Sequence, residues 1–400
     1  QMDKLITQYP QSPYVTEALF EKGRSYVMLN NTNAAIETFE TLRKQFPESS
    51  NARKAGLQIG MLYFNSNQAA KAKDIYKEVI TKYPGSQEAR TAVQDLKAVY
   101  FELNDVNGYA DYVRSLGGAV KFDVTEQDSL TYLAAERFFM RGDRKQAQES
   151  LLKYIQSFPA GAFQSNAHFY LGSVYYQDKL FAKAKTEFQA VLNEGDNQFT
   201  EESVARLAEI EFNDKNYEAS LALYERLKNI TESQINQNAA NLGILRSANK
   251  LNQYTQIITS ANALLGDESL EPNVATEAKY YRAKSYLAIG ENNLAEKDLS
   301  DLAKDTRTLY GAEAKYMLGQ YYFDHQEVAK AKSVVMEYIQ QGTPHSYWLA
   351  RGFILLSDIY KSEGDTLQAR QYLESLQSNY KNTDDDILTM LSERLNQLVD

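Results

Sequence analysis

The chain repeats itself about every 37 residues, and a repeat of that length leaves few folds open to it. Gly23, Tyr26, Ala35, Phe39 and Pro47 return as Gly60, Tyr63, Ala72, Tyr76 and Pro84, and again as Ala135, Phe138, Ala147, Leu151 and Pro159. A fixed period in this range implies a stack of like supersecondary units, each burying its apolar face against the next. Four hundred residues would otherwise suggest two or three globular domains.

Units set from these landmarks begin near 16, 53, 90, 128, 165, 201, 238, 276, 312 and 350. Each reads as two amphipathic helices. In the fifth, Ala167, Tyr170, Leu171, Val174 and Tyr175 share one helical face, and Ala184, Phe188, Val191 and Leu192 share another. A short polar turn, Gln177-Asp178-Lys179, joins them. Gly290 and Gly364 mark such turns elsewhere. Mid-helix glycines at 23, 60, 172 and 319 each cost about 1 kcal/mol against alanine, so their recurrence implies close helix approach. Phe46-Pro47, Tyr83-Pro84 and Phe158-Pro159 end units, because proline disfavours helical geometry in the residue before it.

The units are unequal. The third has Lys97 and Tyr109 where small residues are expected, then Leu116-Gly117-Gly118 and Val120-Lys121-Phe122, so a distorted hairpin and a longer connection are expected. The sixth carries Glu211 in place of an aromatic. The seventh is rich in Asn and Gln, and Asp267 to Asn273 reads as an extended loop. Residues 1–15 read as the end of a truncated preceding repeat, because Leu5 to Pro10 matches Val79 to Pro84. On that reading the chain is the C-terminal portion of a longer protein. Residues 16–127 hold repeats 1–3, with the third degenerate, and 128–383 hold repeats 4–10. Residues 384–400 form a capping helix, Ile387 to Val399, with Asp384, Asp385 and Asp386 at its N-terminus, where the helix dipole favours acids.

The pattern resembles the tetratricopeptide repeat (TPR). The endings Tyr-Pro-Gly-Ser, Phe-Pro-Glu-Ser and Tyr-Pro-Gln-Ser are similar to those of bacterial envelope proteins of the BamD and YbgF (CpoB) types. The tyrosine- and asparagine-rich style resembles long TPR proteins of the Bacteroidetes. The resemblance implies an all-α, right-handed superhelical solenoid of about ten hairpins, used as a non-catalytic scaffold for a partner protein or peptide. It further implies a concave groove lined by the first helices. The position after the recurrent aromatic carries Phe64, Phe101, Phe139, Tyr176, Phe212 and Phe323, and a second row carries Phe20, Leu57, Tyr132, Phe169, Tyr280 and Tyr316. These aromatics are the candidate partner-binding residues, since they supply large contact area at low entropy cost. They also pack well between neighbouring helices, and a glycan could stack on them, which gives an accessory nutrient-binding role as the alternative function. Arg246, Asn249, Lys250 and Lys284 form the most basic local stretch. The family likeness implies a periplasmic or outer-membrane-associated location, with the cytoplasm left open, as is the oligomeric state.

Several chemistries find no footing. There is no cysteine, so disulfides and thiol chemistry are excluded. The net charge of -10, with both signs interspersed, argues against sequence-independent phosphate binding, and no nucleic-acid partner is expected. His168, His325 and His345 lie far apart in the repeat order, so neither a metal site nor a catalytic residue is expected, and no cofactor motif occurs. No run approaches the ~20 apolar residues of a membrane span. Trp348 is expected just ahead of the tenth unit's first helix, as an anchor between the ninth and tenth units.

Overall fold

The structure, a computed structural model, describes residues 1–117 and 122–398. Among them are twenty-two α-helices and no strand. They form ten hairpins, flanked by one helix on either side, in two compact units that divide between Phe199 and Thr200.

The first unit opens with Met2–Gln8. Hairpin 1 follows (Val15–Met28 with Thr32–Gln45), then hairpin 2 (Ser50–Asn65 with Ala69–Lys82) and hairpin 3 (Gln87–Glu102 with Val106–Ser115). Hairpins 4 (Val124–Met140 with Arg144–Ser157) and 5 (Gln164–Gln177 with Phe181–Asn193) complete it. The second unit holds hairpin 6 (Thr200–Asn213 with Tyr217–Ile230), hairpin 7 (Gln234–Lys250 with Tyr254–Leu265) and hairpin 8 (Pro272–Ala288 with Asn292–Leu302). Hairpins 9 (Leu309–Asp324 with Val328–Gln341) and 10 (Ser346–Ser362 with Thr366–Asn379) precede a final helix, Ile387–Asn396. Within each unit a second helix packs between the first helices of its own and the next hairpin, and successive first helices touch.

Ten left-handed residues set the ten hairpin turns. Asn30, Asn67, Asn104, Gly142, Lys179, Lys215, Asn252, Gly290, Gln326 and Gly364 all have φ between 53° and 84°. Each closes its first helix in the same way. In hairpin 1, Asn31 N–H donates to Tyr26 O and Asn30 N–H to Val27 O, both at 2.9 Å, which is the Schellman pattern. The following residue then caps the second helix, as where Asn31, Asp105, Asp143 and Asp365 accept a backbone N–H with their side chains. Between hairpins, Phe46, Tyr83 and Phe158 end their helices immediately before proline with φ near -130°. Ser49 and Ser86 then cap the next first helix through their hydroxyls at 3.0 Å.

The helices of a hairpin cross where a small residue meets a large one sixteen positions later. A Cβ on Gly23 would lie 2.4 Å from the Phe39 ring, and one on Gly60 would lie 2.5 Å from Tyr76. In hairpin 3 the glycine place holds Lys97, paired with Glu126, and the facing residue shrinks to Val113. Hairpin 7 inverts the sizes, with Leu245 and Ala261, both fully buried in one cluster.

Hairpin 3 has a second helix of ten residues against fourteen in hairpins 1, 2 and 4. Tyr109, in the place of an alanine, is buried, donates its hydroxyl to Val93 O at 3.2 Å and meets Phe122 edge-on at 5.0 Å. Gly118, Val120 and Lys121, which the sequence places in the connection, lie outside the described residues, as does Val399. The loop expected over Asp267 to Asn273 is shorter. Pro272 and Asn273 begin the first helix of hairpin 8, since proline at the first helical position forfeits only an N–H that has no intrahelical partner.

Candidate interaction surface

The two aromatic rows have different environments. In the second row, Tyr132, Phe169, Tyr280 and Tyr316 are buried, each at or below 9% exposure. Each ring meets an aromatic from the start of the next first helix or the loop before it. The centroids are 4.5 Å apart for Tyr132–Phe163, 4.5 Å for Phe169–Phe199, 4.4 Å for Tyr280–Tyr310 and 5.6 Å for Tyr316–Trp348. These rings join one hairpin to the next and are not an open contact surface. Phe20 is half-buried and lies 5.6 Å from Phe39. Leu57 is also half-buried. Trp348 is inside the first turn of hairpin 10, not ahead of it, and joins this series.

The first row stays half-buried throughout: Phe64, Phe101, Phe139, Tyr176, Phe212 and Phe323. Its members sit two residues ahead of the cap at the C-terminal end of each first helix, where their carbonyls accept from the left-handed turn residue. Hairpins 2 to 5 of the first unit carry four of them in succession, Phe64, Phe101, Phe139 and Tyr176. Arg137 lies over Phe101 at 4.9 Å and pairs with Glu102. Phe139 meets Tyr170 of the next hairpin at 4.5 Å. Tyr176 meets Phe181 at 5.5 Å, so these rings have protein neighbours and yet remain partly exposed.

In the second unit the first-helix face is dominated by charges that satisfy one another between hairpins. Arg246 grips Glu277 through two hydrogen bonds of 2.8 and 2.7 Å. Lys284 donates to Tyr280 Oη at 2.9 Å and approaches Glu313 at 3.4 Å. Arg351 donates to Tyr316 Oη at 2.7 Å and to Tyr347 Oη at 3.2 Å. The stretch that reads as basic in sequence is therefore largely neutralised, because acids from the following hairpin reach it. Burial, reinforced by hydrogen bonding to carboxylates, raises the Tyr132 and Tyr280 phenols above their ordinary range, and burial pushes Tyr310 up to about 12. These phenols remain protonated donors.

The histidines sit apart. His168 Nδ1 lies 2.7 Å from Glu187 within hairpin 5, His325 packs on Tyr321 at the turn of hairpin 9, and His345 Nε2 lies 3.1 Å from Arg307 O. Among the described residues no group of three or more His, Asp and Glu could hold a metal ion, and no helix is long and apolar enough to cross a membrane.

Sequence reasoning missed the left-handed series and the stacking partners Phe163, Phe199 and Tyr310. Both had a signal. Asn or Gly recurs at the turn in seven hairpins, and an aromatic recurs 30 to 32 residues after each buried ring.

A family model described as a tetratricopeptide repeat-like domain matches residues 119–243. A second, described as a tetratricopeptide repeat, matches residues 17–49, 54–86 and 347–383, and the two together cover more than half of the chain. Among solved structures, a tetratricopeptide repeat protein from Parabacteroides merdae is similar at 15% identity and a TM-score of 0.36, over 68% of this chain and 99% of that one. The TPR domain of P58(IPK) is similar at 13% identity and a TM-score of 0.27, over 96% of this chain and 98% of that one. No curated protein matches.

Proposed function

Since the chain belongs to the tetratricopeptide-repeat family, we propose that it is a non-catalytic scaffold whose first-helix face holds a partner protein or peptide. The observation that carries this reading is the row Phe64, Phe101, Phe139 and Tyr176 in hairpins 2 to 5. Each ring packs against neighbouring side chains while staying partly exposed, so little side-chain entropy is lost when a ligand covers it. The repeat endings at Tyr9-Pro10, Phe46-Pro47 and Tyr83-Pro84, with their bacterial-envelope likeness, support a periplasmic or outer-membrane-associated setting.

The test is position-specific photocrosslinking in cells. A photoreactive phenylalanine at Phe139 or Tyr176 should trap a defined polypeptide, and one at the exposed Glu149 on a second helix should not. Equal trapping at all three positions overturns the reading. Saturable binding to a glycan array, lost in Phe139→Ala/Tyr176→Ala, replaces the protein partner with a sugar.

A further inference from the structure

The turn of hairpin 4 and the turn of hairpin 5 form one surface. Arg144 Nε lies 3.3 Å from Asp178 Oδ1, which ties the two together. Three large apolar side chains stand out of it: Met140 at 62% exposure, Leu180 at 42% and Phe181 at 37%. Around them are five exposed cations, Arg141, Arg144, Lys145, Lys179 and Lys183. The acids in these turns are Asp143, which caps a helix, and Asp178, which holds Arg144. A chain of net charge -10 therefore carries a locally positive edge here. The second helices of both hairpins also begin at this edge, and helix N-termini add partial positive charge.

The fold does not require this composition. The equivalent turn of hairpin 2 is Asn65-Ser66-Asn67-Gln68, wholly polar, and it closes with the same pair of backbone hydrogen bonds. Gly142 and Lys179 hold the left-handed turns that make these corners tight and protruding. Apolar tips on protruding turns, ringed by lysine and arginine, match a layer of acyl chains under anionic headgroups.

We propose that the paired turns of hairpins 4 and 5 are a docking edge for an anionic lipid surface, with Met140, Leu180 and Phe181 entering the interface and the five cations meeting headgroup phosphates. The edge adjoins the first-helix row proposed for the partner, since Phe181 meets Tyr176 at 5.5 Å, but vesicle binding tests it without any partner and so does not depend on that reading.

The test is co-sedimentation of the full chain with phosphatidylcholine vesicles, with and without phosphatidylglycerol. Binding is expected only to the anionic vesicles and should fall with added salt. Met140→Ser/Leu180→Ser/Phe181→Ser and Lys179→Glu/Lys183→Glu should each lower the partition coefficient about tenfold or more. Lys250→Glu, at the turn of hairpin 7, should leave it unchanged. Circular dichroism checks that each variant keeps its helices. No binding by the parent chain, equal binding to neutral vesicles, or undiminished binding by either set of turn variants overturns the proposal. So does saturable binding to polyglutamate in place of vesicles, which assigns the edge to an acidic protein.

Discussion

In hairpin 2 the helices cross with Gly60 beneath the ring of Tyr76, whereas in hairpin 3 the same two places hold Lys97 and Val113. The first arrangement lets a large ring lie flat on a helix backbone. The second removes the ring, and a long polar side chain then runs out to Glu126 and over Phe122. Hairpin 7 reaches the same end with Leu245 against Ala261. Hairpin 9 crosses with Gly319 against the smaller Val335, whereas in hairpins 2, 3 and 7 bulk lost on one side of the crossing is made up on the other, so neither residue's identity is fixed. That is the behaviour of a close-packed core, where one surplus methylene is felt.

The contrast can be broken most directly by filling the glycine place. Gly60→Leu should cost about 3 kcal/mol in a urea titration, because its Cβ enters the Tyr76 ring. Lys97→Leu, at the equivalent site of hairpin 3, should cost less than about 1 kcal/mol. Equal losses at the two sites would sink the complementarity argument. A smaller effect comes from transplanting hairpin 7: Gly60→Leu/Tyr76→Ala should recover about 2 kcal/mol of the sum of the single losses, as a double-mutant cycle. Smallest is the effect at the left-handed turn that all ten hairpins share, tested in hairpins 6 and 10. Lys215→Gly should raise stability by about 1 kcal/mol and Gly364→Ala lower it by about as much, since both positions are left-handed. Thermal melts read both, and a loss on Lys215→Gly would mean that its side chain stabilises the turn.

Much of the fold was legible in the residues. The repeat number, the hairpin pairing and the helix ends before Pro47, Pro84 and Pro159 follow from local rules. Proline, serine and a 3.6-residue apolar period act within a few positions of themselves. The misplacements of Pro272 and Trp348 were of one kind, since a helix start can move by a few residues without changing its pattern. The candidate surface was less legible. Tyr132 and Phe139 are both aromatic, on one helix, seven residues apart, yet Tyr132 is 2% exposed and Phe139 is half-buried. Both meet a ring of the next hairpin at 4.5 Å, but Tyr132 lies flat against Phe163 and also meets Tyr154 of its own second helix, whereas Phe139 meets Tyr170 at a tilt.

Taken by itself, the sequence determined that this chain would fold as ten helical hairpins, because its period, small-residue spacing and helix stops are properties of single repeats. Only the tertiary structure decided which aromatics and charges remain available. Burial and neutralisation depend on partners about one repeat away, such as Tyr310 for Tyr280 and Glu277 for Arg246. Such pairings become readable only once one hairpin has been laid on the next.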